Sequence, residues 1–331
     1  MTVIKPVNVL GLLSTSSLEG VYVALLNTDG VDVFDYGRLQ HIPYDEALRE
    51  KIRPLLGTCP YTPEAVAEFQ AVNRELTVFH AEIVKDYIAS NGVEVDVIGY
   101  EGINLTNYAS GGETGLLGDG KLLAELAGIR VVCNFHAADI RAGGQGAPLD
   151  PVYYNALCAD IGKPLAVVNI SGITRVTWIG SYGEMTAFDT GPGNAAIDEW
   201  VRKHGGMHMD YNGKLAITGK VNEQIVATMM RHKYFAKYPP KSTNRSEFVE
   251  KLEHLEGLSL EDGAATATAF VAESIAYSLL LYLPEIPKIL IVCGGGAKNP
   301  TILRFLRQRL PDMAIHTAAE EGFNTNALPA Q

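Results

Sequence analysis

Short apolar runs alternate along the chain with longer stretches in which apolar side chains recur at helical spacing. Runs at 7–13, 21–26 and 31–34 predict three strands. The first pair is joined through Ser14-Thr15-Ser16-Ser17 and the second through Asn27-Thr28-Asp29-Gly30, so both connections read as hairpins. A long helix is predicted from Thr62-Pro63, with threonine as cap and proline at the first helical position, to Asn91-Gly92. Strands recur at 95–100 and 129–133. The order then repeats without repeating the sequence: strands at 165–170, 175–179 and 185–188, then a helix from Ala195. Helices follow near 221–232 and 264–281, then a strand at 289–293, a helix from Pro300 and a strand at 313–317. Two sets of three strands followed by alternating helix and strand predict two similar α/β lobes, 1–162 and 163–331, with a ligand cleft between them.

A length of 331 residues exceeds what one hydrophobic core usually carries and supports the two-lobe reading. With 47% hydrophobic and 20% charged residues the composition is that of an ordinary globular protein. A net charge of −11, with no block of lysine or arginine to offset it, argues against a nucleic-acid surface. Cys59, Cys133, Cys158 and Cys293 show no C-x-x-C spacing, which disfavours a disulfide framework or thiolate metal site and fits a reducing compartment. No basic-then-apolar leader opens the chain and no apolar run approaches about twenty residues, so the expectation is a cytoplasmic protein with no membrane partner.

The sharpest local signal is Asp189-Thr190-Gly191-Pro192-Gly193-Asn194, between a strand-like run and a helix-like stretch. Gly191 and Gly193 let the backbone approach a ligand. Asn194 is expected to cap the helix and aim its unpaired N–H groups at an anion, phosphate being the usual one. Asp189 stands where a carboxylate could hold Mg2+ directly or through water. The competing reading is a plain tight turn. Gly294-Gly295-Gly296 leaves the end of a buried strand, where triple glycine would let a flat ring or ribose lie on the backbone. The loop at 143–149 reads equally as hinge or ligand loop. The hydroxyls of Ser14 to Ser17 read, taken alone, as turn residues. His204 and His208 have metal-pair spacing, but intervening glycines break the helix that would align them. Met229-Met230, Tyr234-Phe235 and Tyr238 are expected to pack the second lobe.

Together and in order, Asp189 to Asn194, the 143–149 loop, Pro239-Pro240-Lys241-Ser242-Thr243 with Arg245, and Cys293 to Gly296 resemble the anhydro-N-acetylmuramic acid kinases. That family belongs to the actin, hexokinase and Hsp70 fold superfamily. The resemblance runs from about Val9 to Gln331. It implies two ribonuclease-H-like lobes, with ATP and Mg2+ bound in the cleft and a homodimer. The implied reaction opens a 1,6-anhydro bond with water while the 6-oxygen of the sugar receives a phosphoryl group, in murein recycling. Carried over by position, Ser14, Thr15, Ser16, Ser17, Glu19 and Gly20 become the first phosphate turn. Asp189, Thr190, Gly191, Gly193 and Asn194 become the second, Gly294 to Gly296 the adenosine loop, and Asp189 and Glu19 the metal carboxylates.

The chain also departs from the family pattern. Gly-Thr-Ser-x-Asp-Gly is here Thr15-Ser16-Ser17-Leu18-Glu19-Gly20, and the next family aspartate falls on Tyr22. Gly-x-His-Gly-Gln-Thr is Gly99-Tyr100-Glu101-Gly102-Ile103-Asn104, and Asn-Ile-Gly-Gly-Ile-Ala-Asn is Asn169-Ile170-Ser171-Gly172-Ile173-Thr174-Arg175. Asn326 and Pro329 stand where the family carries Asp and Glu, and the family pattern continues past Gln331 into a closing helix. The family's Asp-Phe-Arg, whose aspartate is the general base for water, is Asn134-Phe135-His136. An amide cannot accept the proton, which leaves Glu101 or Asp139 as replacement bases. Two readings follow: an active anhydrosugar kinase, or a non-catalytic relative that binds nucleotide or sugar as a sensor or partner subunit.

Overall fold

A computed structural model describes residues 5–14, 18–56, 62–105, 116–144, 146–243 and 246–323. Thr15, Ser16, Ser17, Cys59, Arg245, Asn326, Pro329 and Gln331 lie outside the described residues. Two compact units divide the chain, Met1–Leu149 and Asp150–Thr325. The boundary falls ahead of 162/163 because the short helix at 151–157 packs on strands of the second unit.

In the first unit, β1 (Val7–Ser14), β2 (Gly20–Thr28), β3 (Val33–Tyr36) and β4 (Gln40–Pro43) precede α1 (Glu46–Ile52) and α2 (Pro63–Asn91). Then come β5 (Val97–Glu101), the pair β6 (Ile103–Asn104) and β7 (Leu116–Leu117), α3 (Gly120–Ala127), β8 (Arg130–Cys133) and α4 (Phe135–Arg141). The sheet runs β3-β2-β1-β5-β8, with the first three antiparallel and the last two parallel to β1; β4 also pairs with β2. The ends of α2 obey the sequence signals. Thr62 accepts from the Ala65 N–H, Pro63 opens the helix, and Gly92 closes it in the left-handed region at φ 62°. Its inner face buries Val72, Leu76, His80, Ile83, Val84 and Tyr87, the recurrence expected of one helix face.

The second unit repeats the design. It begins with α5 (Pro151–Leu157), β9 (Leu165–Ile170), β10 (Ile173–Ile179), β11 (Met185–Pro192) and α6 (Asn194–Gly205). It continues with α7 (Glu223–Met229), α8 (Ser246–Val249), α9 (Leu260–Tyr282), β12 (Ile289–Cys293), α10 (Pro300–Arg309) and β13 (Ala314–Thr317). Its sheet runs β11-β10-β9-β12-β13, with the same antiparallel and parallel pattern. Two α/β units with strand order 3-2-1-4-5 are the ribonuclease-H-like arrangement expected.

Helix α9 corrects the expectation that nothing here is apolar enough to span a membrane. It is 23 residues long with a mean hydropathy of 1.4 over its most apolar window, yet 78% of that window is buried. It is a core helix, packed on α6, α10 and β11. Met229, Tyr234 and Phe235 are buried as expected; Tyr238 is not, being 79% exposed.

Candidate functional site

In the second unit β9, β11 and β12 run in one direction, so Ile170, Pro192 and Cys293 end at the same edge of the sheet. Ligands of open α/β sheets bind outside the carboxyl ends of such strands. Three turns meet there. The Asn194 N–H donates to the Ser171 carbonyl at 2.7 Å, the Gly193 N–H to the Gly172 carbonyl at 3.2 Å, and Asn194 Nδ2 to the Ile170 carbonyl at 3.3 Å. Asn194 is therefore the first helical residue, and Gly193 is the cap. The expectation that Asn194 caps α6 is corrected, because its own N–H and side-chain amide hold the neighbouring turn.

The glycines serve the same convergence. A Cβ on Gly193 would lie 2.3 Å from the Ser171 oxygen. Gly294, at φ 75°, would place one 2.4 Å from Asn169 Oδ1. Gly296 is buried against Ile170, which leaves Gly295 as the exposed member of the triple glycine. Thr190 is buried, its hydroxyl donating to the Thr174 carbonyl, and Gly191 packs against Phe235 and Ser274.

Asp189, Arg175, Asn169 and Cys293 form one row across four strands. Asp189 is 2% exposed. Its Oδ1 accepts from Arg175 Nε at 2.9 Å and its Oδ2 from the Thr243 N–H at 3.0 Å. Its own N–H donates to the Lys241 carbonyl at 3.1 Å, and the Tyr234 hydroxyl donates to its carbonyl at 2.6 Å. Burial raises the Asp189 pKa, opposed by the Arg175 guanidinium and the Thr243 N–H, with the charge of Asp150 adding to the rise. Each carboxylate oxygen of Asp189 thus already accepts one hydrogen bond within the protein.

The acceptors left at this strand end are others. Asp150 Oδ1 and Asn169 Oδ1 are buried without a hydrogen-bond partner among the described residues. Asp150 occupies the N-cap of α5 without making a cap bond. Its charge raises the pKa values of Tyr154 and Cys293, both of which burial raises first. Tyr154 in turn stands 3.5 Å from Asn169 Nδ2 and 3.6 Å from Cys293 Sγ. A hard cation fits such oxygen acceptors.

Lys241 is 5% exposed, with no hydrogen-bond partner for Nζ among the described residues. The ammonium sits 4.1, 4.9 and 5.7 Å from the ring centroids of Tyr282, Tyr234 and Phe188. Burial lowers its pKa to about 8, helped by Lys237. The rings offer the cation π faces in place of water.

In the first unit Ser14 is turned inward, 4% exposed. The Tyr44 hydroxyl donates to Ser14 Oγ at 2.7 Å, Ser14 Oγ meets His80 Nε2 at 2.7 Å, and His80 Nδ1 meets the Tyr100 hydroxyl at 3.3 Å. Burial holds His80 down at about 4 and pushes Tyr44 up to about 12, so the chain of groups is neutral near pH 7. Ser14 therefore belongs to a buried polar network. Glu19 is exposed, 3.5 Å from the Tyr22 hydroxyl. Gly20 opens β2 at φ 150°, where a Cβ would lie 2.2 Å from the Ile42 oxygen.

Asn134 is exposed, in the left-handed region at φ 59°, and caps α4 by position without a side-chain bond. Asp139 is occupied. Its Oδ2 accepts from the Gly146 N–H at 2.7 Å, which ties Gly146 to α4. Glu101 pairs with His136, Oε1 to Nε2 at 3.2 Å, with the two side chains 17% and 19% exposed. His136 Nδ1 contacts the Gly146 carbonyl. Both ring nitrogens thus face oxygen atoms, Glu101 Oε1 and the Gly146 carbonyl.

The anhydro-N-acetylmuramic acid kinase family model matches residues 7–331. The chain belongs to the anhydro-N-acetylmuramic acid kinase family. The anhydro-N-acetylmuramic acid kinase of Rhodospirillum rubrum is 43% identical, the match covering 97% of this chain and 84% of that one. The enzymes of the same name from Paramagnetospirillum magneticum and Zymomonas mobilis are 41% and 39% identical, over 97% of this chain and 89% and 90% of theirs. Among solved structures, the activator of the 2-hydroxyisocaproyl-CoA dehydratase from Clostridium difficile aligns over 98% of this chain and 91% of its own, with a TM-score of 0.43 and 12% identity.

Within this anhydro-N-acetylmuramic acid kinase family member, sequence reasoning did not find the Ser14–His80 network, the Lys241 cage or the acceptor at Asp150. His80 carried a signal, as a polar residue on the apolar face of α2. Asp150 carried none, since an aspartate before a proline reads as an ordinary cap. The loop expectation holds for His208 and not for His204, which lies in the last turn of α6 before Gly206 ends the helix. His204 instead stacks on Trp200, with ring centroids 3.8 Å apart.

Proposed function

We propose that this chain is an ATP-dependent kinase of anhydro-N-acetylmuramic acid that hydrolyses the 1,6-anhydro bond and phosphorylates O6. The observation that carries the reading is the family match from residue 7 to 331, with the Asp189–Asn194 segment seated at the carboxyl ends of three parallel-running strands. The exposed backbone of Gly295 would face the nucleotide. ATP, when bound, supplies the phosphoryl group, and Mg2+ would neutralise its phosphate charge. The residues that fit such a cation are Asp150 and Asn169, with Asp189 held back by Arg175.

Glu101 is the base this reading assigns. Its carboxylate takes a proton from water as the water oxygen bonds to C1 of the sugar; the C1–O6 bond breaks, and O6 bonds to the γ-phosphorus of ATP as the bond to the bridging oxygen breaks and ADP leaves. His136, 3.2 Å away, orients the carboxylate. Asp139 is a poorer base because the Gly146 N–H holds its Oδ2.

A second reading is favoured by one observation: the exposed Asn134 offers an amide where the resemblance calls for a carboxylate. On that reading the chain binds nucleotide or sugar without turnover. Titration with ATP-Mg2+ and anhydro-N-acetylmuramic acid, with N-acetylmuramic acid 6-phosphate assayed on the same samples, separates the two. Product that disappears in Glu101→Gln supports the kinase with Glu101 as base; binding of both ligands without product overturns it.

A further inference from the structure

A second place in the Asp150–Thr325 unit is built for anions. Between the end of α7 with the turn after it, and α8 with the segment that follows it, lies a cavity of about 620 Å³ lined by Arg231, His232, Lys233, Lys251 and His254 together with Glu247. Three permanent cations face one carboxylate there, in a chain whose net charge is −11. The concentration of charge registers on His232. Its pKa is lowered first by burial and then by Lys251, Lys233 and Lys237, with Glu247 opposing. A cavity of this size falls within the roughly 300–1,000 Å³ of small-molecule pockets. Guanidinium and ammonium groups together match phosphate oxygens, as fork and as point charge.

The cavity is also connected to the Asp189 turn. Glu247 Oε2 accepts from the Thr243 hydroxyl at 2.5 Å, and the Thr243 N–H donates to Asp189 Oδ2 at 3.0 Å. Two hydrogen bonds therefore link a carboxylate on the cavity wall to a carboxylate in the strand-end row. An anion entering among the cations would repel Glu247 and compete for the positive charge around it, and Thr243 would feel the change directly.

We propose that this cavity is a second anion site, taking a small phosphate-bearing molecule, whose occupancy is transmitted to Asp189 through Glu247 and Thr243. The transmission rests on the reading of the Asp189 turn as a nucleotide phosphate loop; the site itself does not.

Calorimetric titration with inorganic tripolyphosphate tests it, on the full chain at low and moderate salt. The wild type binds, more weakly at higher salt. The double substitution Arg231→Gln with Lys251→Gln weakens binding about ten-fold or more, two charge-assisted contacts being enough for that. Arg231→Gln with Lys233→Gln does the same from two exposed side chains, which separates the effect from a folding defect at the half-buried Lys251. Gly295→Val, at the other site, leaves tripolyphosphate binding in place. Unchanged affinity in both double variants, or loss in Gly295→Val, overturns the proposal by placing the polyanion at the phosphate loop. For the transmission, ATP affinity shifts several-fold when tripolyphosphate is present in the wild type and not in Thr243→Val; an equal shift in both overturns it. A chain that binds tripolyphosphate at this cavity but no ATP would remove the proposed kinase function and leave the anion site standing.

Discussion

Arg175 Nε lies 2.9 Å from Asp189 Oδ1, and the two residues face each other across β10 and β11, the arginine side chain 41% exposed and the aspartate 2%. The charge this pair shows to solvent is the guanidinium. A carboxylate that looks, in sequence, like a metal ligand is therefore a buried anion paired by a residue fourteen positions earlier.

Arg175→Asn should leave Asp189 buried and unpaired, apart from the Thr243 N–H. Breaking a buried pair destabilises by about 3–5 kcal/mol, which the exposure of the arginine reduces to about 1–3 kcal/mol. Burial already raises the Asp189 pKa in the folded state, and losing Arg175 raises it further. A raised carboxyl binds more protons folded than unfolded, so stability falls as pH rises through its folded pKa. The variant should accordingly be most destabilised near pH 7 and recover towards the wild type near pH 4–5, read from denaturant midpoints at both pH values. Equal destabilisation at both would show that the charge is not what Arg175 balances.

Lys241→Met tests the aromatic cage. The folded pKa of about 8 lies below the ordinary 10.5, so between these values the unfolded chain binds more protons and wild-type stability rises with pH. Below pH 8 the full burden of a buried ammonium is present, offset by the three rings. Methionine keeps the apolar stem and removes the charge. Wild-type stability should climb relative to Lys241→Met between pH 8 and 9.5, by about 1 kcal/mol after allowing for solvent screening. A constant difference across that window would place the ammonium in solvent.

Ser14→Ala should act on stability and leave nucleotide affinity untouched. It removes the group between the Tyr44 hydroxyl and His80 Nε2, both buried. Leaving them without that partner costs about 1–3 kcal/mol. A lowered melting temperature with unchanged ATP affinity is the expected pair of results. An affinity loss with stability intact would restore Ser14 to a phosphate turn.

Glu101→Gln and Asp139→Asn should differ in kind. Removing a positioned base lowers kcat by about 10²–10⁴-fold with sugar affinity retained, which is expected of Glu101→Gln. Asp139→Asn loosens the turn that its Oδ2 holds through the Gly146 N–H, and should raise KM more than it lowers kcat. The reverse assignment of effects would make Asp139 the base.

Much was legible in the chain because it depends on neighbours in sequence. The ends of α2 follow from Thr62, Pro63 and Gly92, whose roles are set by local backbone geometry. Strand runs and their order followed from apolar alternation, and the doubled β-β-β-α pattern named the fold class before any contact was known. The helix start at Asn194 was misread by one position, because an asparagine after glycine looks like a cap until the Ser171 carbonyl takes its N–H.

Side-chain roles at the candidate site were decided only in three dimensions. Ser14 faces His80, 66 residues away, and Asp189 faces Arg175 and Thr243 from two different directions of the chain. A carboxylate or hydroxyl in a motif has the same composition whether it points at a ligand or into the protein. Which of these it does is set by the groups that folding brings within hydrogen-bond distance, and burial makes that choice costly to reverse. The sequence by itself determined the class of fold, the family and the Asp189–Asn194 segment, since these rest on local pattern and on ordered motifs. Tertiary structure alone decided that Asp189 is paired, that Lys241 is caged and that Asp150 and Asn169 carry the unpartnered oxygens, because each is a property of contacts between distant segments.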